Sequence, residues 1–97
     1  MTYRVRVRSV ALLELTEATD WYSARSPRAA LRFLASLEAT LDRLARDAGR
    51  LPAIHLDIRR IAVPGFPYSM YYRILGTECH VIAVLHARRH PRRWQRR

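Results

Sequence analysis

The residues best suited to chemistry lie at the end of the chain, where the apolar run Val81 to Leu85 passes into His86-Ala87-Arg88-Arg89-His90-Pro91-Arg92-Arg93-Trp94-Gln95-Arg96-Arg97. Imidazoles titrate near neutrality and can give or take a proton, so His86 is a candidate acid or base. The arginines offer fixed positive charge and planar donor forks that suit phosphate or carboxylate. Trp94 adds one flat surface for stacking. Two other readings stay open. A histidine at a strand end can be a hydrogen-bonded structural residue, and a charge run can be a solvated tail. The chain has no lysine, so no side-chain amine is available as nucleophile or Schiff-base former. Cys79 is the single cysteine, which excludes an internal disulfide and suits a small hydrophobe on a strand. His55 and His80 have no clustering partner in sequence; neither a metal nor another cofactor is expected.

At 97 residues the chain suits one domain, 1–97, with a basic tail from about residue 88. Hydrophobic residues make up 49%, enough for a core and against disorder. The formal charge of +10 is the outlier in composition, and a field of that sign draws nucleic acid, a ribosome or an acidic protein. The longest aliphatic run is too short to span a bilayer, and the N-terminus has no apolar stretch of signal type. A soluble cytoplasmic protein is expected.

The elements that must position these residues follow from periodicity. Thr2 to Arg8 alternates, with Tyr3, Val5 and Val7 on one face and Arg4, Arg6 and Arg8 on the other, which predicts a half-buried strand. Its arginine face is either solvated or part of a surface for a polyanion or partner. Ser9 is placed to cap a helix running to about Ala24, with Ala11, Leu12, Leu15, Ala18, Trp21 and Tyr22 as its apolar stripe and Glu14 off it. Ser26-Pro27 starts a second helix whose stripe runs from Ala30 to Ala48, and Gly49 suits a left-handed cap. Leu51-Pro52-Ala53 opens a loop. Strands are predicted at Ile58–Val63, Tyr68–Leu75 and Glu78–Leu85, the last two joined at Gly76-Thr77 as a central hairpin. The expected fold is α+β in the order β-α-α-β-β-β, with two antiparallel helices on one face of a mostly antiparallel four-stranded sheet. The other face is left for arginines, tyrosines and a partner.

Taken in order, several segments resemble the RelE/ParE superfamily of toxins from type II toxin–antitoxin systems. They are the N-terminal strand with Ala11 to Leu15, Trp21-Tyr22, Phe33-Leu34, Leu37 to Leu44, Ile58-Arg59-Arg60, Phe66-Pro67-Tyr68, Tyr71-Tyr72-Arg73-Ile74 and His86 to Pro91. The resemblance covers nearly the whole chain. It implies an antitoxin partner that is acidic and partly disordered and wraps the toxin, and one of two activities.

The RelE-like branch cleaves messenger RNA on the ribosome, and the ParE-like branch inhibits DNA gyrase without being a nuclease. For cleavage, the resemblance implies Arg73 and Arg88 or Arg89 as phosphate-binding residues, His86 as base or acid, and Trp94 where the enzymes often place a tyrosine. Trp94 has no hydroxyl to donate, and Arg59 and Arg60 stand where that branch commonly has lysines. Arg73 can equally be a sheet-surface residue held by an acidic neighbour such as Glu78. For the gyrase reading, Arg59, Arg60, Arg73, His86, Arg88, Arg89 and Trp94 form a binding surface, since arginines and aromatics dominate interface hot spots. The gyrase reading is preferred, with gyrase or its DNA as target and the ribosome and mRNA as the alternative.

Overall fold

A computed structural model describes residues 2–88 and 93–96. Strand β1 (Arg4–Val7) leads into helices α1 (Ser9–Arg25) and α2 (Pro27–Asp47), followed by strands β2 (Ala53–His55), β3 (Ile58–Ala62), β4 (Tyr68–Leu75) and β5 (Glu78–His86). The sheet has five strands in the order β1-β5-β4-β3-β2, and the helices pack on one face. Pairing is antiparallel except between β1 and β5, which run parallel. The α+β class and the central β4–β5 hairpin agree with the expectation from sequence. The count of four strands is corrected to five, and the sheet is mixed.

The fifth strand is β2, in the stretch assigned to a loop. Its three residues are all exposed, so no alternation marks it, and it holds only the outer edge of β3. Leu56, at the turn between them, has φ 51° and is well exposed, which is left-handed backbone that a leucine adopts at a cost. Gly76 supplies the same region of φ, at 63°, in the β4–β5 turn without that cost.

Helix ends follow hydrogen-bond demand. Ser26 is a single extended residue that serves both helices. Its N–H donates to Tyr22 O at 2.8 Å and closes α1, while its hydroxyl accepts from Ala29 N–H at 3.2 Å and opens α2 at Pro27. At the start of α1 the cap is Arg8 rather than Ser9, and its side chain caps nothing. Arg8 is still extended because its N–H donates to Val81 O at 2.9 Å, continuing the ladder one residue beyond β1. Gly49 does not take a left-handed cap; it lies in a short 3₁₀ turn, Ala48–Arg50. A Cβ at Gly49 would run into the Tyr3 hydroxyl, so close approach is what favours glycine there.

Between helices and sheet lies a core of Phe33, Leu37, Leu44, Met70, Tyr72 and Val84. Phe33 stands 4.8 Å from Tyr22 and 5.0 Å from Phe66, ring centre to ring centre, in tilted and edge-on contacts. The buried Tyr72 hydroxyl donates to Ala48 O at 2.8 Å, and burial pushes its pKa up to about 12. Burial likewise pushes the Cys79 thiol up to about 12, which leaves it an inert core residue.

Helix α1 departs from the expected stripe. Leu12 and Trp21 are exposed, while Glu14 turns toward the sheet. Among the described residues β1 pairs with β5 only as far as Val81, and β5 runs on from there without a strand neighbour on that side. There Glu14 Oε1 accepts the Val84 N–H at 3.1 Å, in place of a strand carbonyl. Replacing Glu14 by leucine leaves that N–H unpaired and is expected to cost about 1.5–3 kcal/mol, whereas Glu14→Gln, which keeps an acceptor, costs less. Urea unfolding followed by circular dichroism checks this; equal losses in the two variants would show that the hydrogen bond is not what Glu14 contributes.

Candidate target-binding face

The face of the sheet opposite the helices is built by strand alternation, with one interruption. In β4, Tyr68, Met70 and Tyr72 point to the helices, and Tyr71 and Arg73 point away. In β5, Tyr71 pairs with Ala83 and Tyr72 with Val81, so Ile82 is an extra residue and forms a bulge. Before the bulge Cys79 and Val81 face the helices; after it Val84 does, while Ile82, Ala83 and Leu85 face outward. The bulge thereby creates an apolar patch of Ile58, Tyr71, Ile82, Ala83 and Leu85 on the open face.

Trp94 covers that patch. It is only 8% exposed, its ring stacks on Tyr71 at 5.4 Å and 9°, and it meets His55 edge-on at 5.6 Å. One face of the indole is therefore taken by Tyr71, and the tryptophan fixes the short turn Arg93–Arg96 against the sheet.

Around the patch the charges are pinned. Arg73 donates from Nε and Nη2 to the two carboxylate oxygens of Asp57, each at 3.0 Å, so its acidic neighbour is Asp57 rather than Glu78. That pairing draws the Asp57 carboxyl below its ordinary 3.8 and raises Arg73. Glu78 instead accepts from Arg6 Nε at 2.8 Å and lies 2.9 Å from His80 Nε2; the Arg6 bond, then the His80 bond, hold its carboxyl below the ordinary 4.5. Arg8 Nε donates to His80 Nδ1 at 2.9 Å. A nitrogen that accepts carries no proton, so the ring proton is on Nε2, donated to Glu78.

The residues singled out from sequence do not all meet. Arg60 and Arg73 share the open face with Trp94; Arg60 is exposed and pairs across from Tyr71. Arg59 belongs to the helix side, where Nη1 donates to the carbonyls of Gly49 and Leu51. His86 pairs across from Tyr68 and touches its ring edge-on at 5.3 Å, also on the helix side. Its Nδ1 accepts the Arg88 N–H at 3.1 Å, and the Arg88 side chain is exposed. Arg89 lies outside the described residues. Along β4, Arg73 stands five positions from Tyr68, the partner of His86, or about 17 Å at a strand's rise per residue. Arg73 and His86 thus sit at opposite ends and on opposite faces.

Sequence reasoning passed over Asp57, gave Tyr71 no role at the site, offered Glu78 to Arg73 and left His80 without a partner. The signal for the last two was the spacing Glu78-Cys79-His80, which puts both side chains on one face of a strand. Among the described residues no group of three His, Cys, Asp or Glu side chains is placed to hold a metal ion, and no helix is long and apolar enough to cross a membrane.

Comparison with known proteins gives three findings. A family model for the ParE toxin of the type II toxin–antitoxin system parDE matches residues 5–91. The toxin RelE1 of Caulobacter vibrioides is 36% identical over 89 residues, covering 89% of this chain and 95% of that protein. A solved structure described as a chromosomal ParDE system from P. aeruginosa superposes with a TM-score of 0.76 at 18% identity, covering 88% of this chain and 96% of that one; it bears on the fold alone.

The two depressed carboxyls set an acid limb of stability. A group whose folded pKa lies below its unfolded value stabilises the fold above the unfolded value and loses that effect as pH falls through the folded one. Asp57 and Glu78 therefore contribute above pH 3.8 and 4.5 respectively, and the contribution fades below those values. Carboxyl NMR titration is expected to find both midpoints low in the wild type, and Arg73→Gln should return only Asp57 to its ordinary value. An unmoved Asp57 would refute the pairing.

Proposed function

The chain belongs to the ParE toxin family of type II toxin–antitoxin systems, and from that premise we propose that it arrests growth by binding DNA gyrase rather than by cutting RNA. The observation that supports this most is the separation of His86 from Arg73. Cleavage through a 2′-hydroxyl needs a base, an acid and cations converging on one phosphate. The bulge at Ile82 turns His86 toward the helices, while Arg73 is engaged with Asp57 on the other face. Trp94, without a hydroxyl, is stacked on Tyr71. What the open face offers is a rigid surface with arginines around an aromatic and aliphatic centre, which suits contact.

The same reading assigns an acidic antitoxin. Its helix is proposed to cover the apolar side chains left exposed on α1 and α2, chiefly Val10, Leu12, Leu13, Trp21, Leu31 and Leu34. Leu31 is 68% exposed and Leu13 59%, far more than core packing requires, and both belong to the helices that cover the sheet face opposite the arginines. Its acidic segment then reaches the arginines.

Two measurements test the assignments. Purified toxin is expected to block gyrase supercoiling of a plasmid and to leave ribosome-bound mRNA intact; cleaved mRNA with unimpaired gyrase would transfer the protein to the nuclease reading. Separately, Leu13→Asp and Leu31→Asp are expected to weaken the complex with the cognate antitoxin by about 10–100-fold, or roughly 1.4–2.8 kcal/mol, while leaving growth arrest unchanged. Unaltered antitoxin affinity would remove the helix pair as the antitoxin's seat.

A further inference from the structure

Three arginines stand in a row on β1 and its extension, on the opposite edge of the sheet from β2. Arg4, Arg6 and Arg8 alternate with the core-facing Val5 and Val7, so all three point to the open face. A strand advances about 3.3 Å per residue, which puts alternate positions about 6.7 Å apart. That spacing is comparable to the step between successive phosphates along one nucleic-acid strand.

How the arginines are held matters more than their number. Arg6 is anchored through Nε to Glu78, and Arg8 through Nε to His80. An arginine held by Nε keeps its two terminal nitrogens for another acceptor, in a direction already chosen. Arg73 differs, since Asp57 takes its Nε and one terminal nitrogen together. Arg4 and Arg8 are exposed, and the Arg6 side chain is 53% exposed. Glu78 is thus shared between Arg6 and His80, and the row keeps a net positive charge.

We infer that the row Arg4, Arg6 and Arg8 is a binding site for the phosphate backbone of duplex DNA. Duplex rather than single strand follows from the neighbouring aromatics. Proteins that hold single strands stack bases on exposed rings. On this face Tyr71 is 4% exposed and Trp94 8%, each occupied by the other. The row tracks a backbone whose bases are turned inward, and it reads no sequence. The choice of DNA over duplex RNA rests on the gyrase reading, because the substrate of gyrase is duplex DNA.

The test is the salt dependence of binding to a fluorescein-labelled DNA duplex, followed by anisotropy. Each phosphate contact contributes about 0.9 to the slope of log K against log salt, so Arg4→Gln, Arg6→Gln and Arg8→Gln together should flatten the slope by about 2.7. Arg28→Gln, Arg32→Gln and Arg46→Gln remove the same charge from exposed sites on α2 and should change it by less than about 0.9. The triple lysine variant of the β1 row should keep the slope and lose affinity, because charge remains while the anchored fork is gone. If the glutamine triple does not fold, by circular dichroism, the single variants Arg4→Gln and Arg6→Gln are read, each expected to lose about 0.9.

Equal slopes for the β1 and α2 triples would overturn the site, as would tighter binding of a matched RNA duplex through the same arginines. A β1 triple that keeps its DNA slope but no longer binds polyglutamate would assign the row to a protein partner, and so also overturn it. Gyrase inhibition by wild-type toxin is measured in parallel. A toxin that binds DNA through the row yet spares gyrase would refute the gyrase reading while leaving the site in place.

Discussion

A single extra residue in β5, Ile82, decides which side chains of the last strand face the helices and which face the arginines. Because strand side chains alternate with period two, one inserted residue exchanges the faces of everything beyond it. Without it, His80 and His86 would share the open face, and Ala83 and Leu85 would enter the main core. With it, Val84 completes the core under the helices, and an apolar patch appears outside for Trp94 to cover. The core, the docking of the tail and the opposite faces of the histidine and arginine candidates all follow from that shift. Glu14 supports it from α1, accepting the Val84 N–H where β5 has outrun β1.

Electrostatics complete the picture. A chain of +10 has few carboxylates, and the two on the open face do not simply cancel positive charge. Asp57 closes a two-point clamp on Arg73, whereas Glu78 holds Arg6 by one edge and steadies His80, which steadies Arg8. Exposed ion pairs of this kind add little to stability. Their effect is geometric: they reduce the rotamer freedom of long side chains before any partner arrives, lowering what binding must supply.

Much of the fold could be read from the chain, because its signals were local and strong. The Ser26-Pro27 start of α2, the Gly76 turn and the alternation in β1 each have a physical cause within a few residues, and each recurs in the structure. β2 was invisible because three exposed residues beside Pro52 carry no pattern. The bulge was invisible because Val81 to Leu85 is apolar throughout, so neither face is marked and the register cannot be counted. That one gap carried over to the site for His86, whose face follows from the bulge; Arg59 is ambiguous for a different reason, since Ile58-Arg59-Arg60-Ile61 marks neither face of β3. Trp94 was legible as a special residue, but its stacking partner lies across the sheet on β4. Glu14 illustrates the opposite error, since a carboxylate off the apolar stripe reads as solvated until an unpaired N–H is found beside it.

The parallel pairing of β1 with β5 joins segments made at opposite times. Arg6 and Glu78 are 72 residues apart, as are Arg8 and His80. Contacts so distant in sequence are the last a chain can make during synthesis, whereas the helix pair joined at Ser26 can form as soon as it leaves the ribosome. A nascent copy therefore exposes the helical hairpin, with its uncovered leucines, well before the β1 arginines acquire their anchors. Vectorial synthesis thus orders the two surfaces in time, the restrained one ahead of the armed one. On the proposed reading, the antitoxin's seat on the helices is therefore complete before the sheet is.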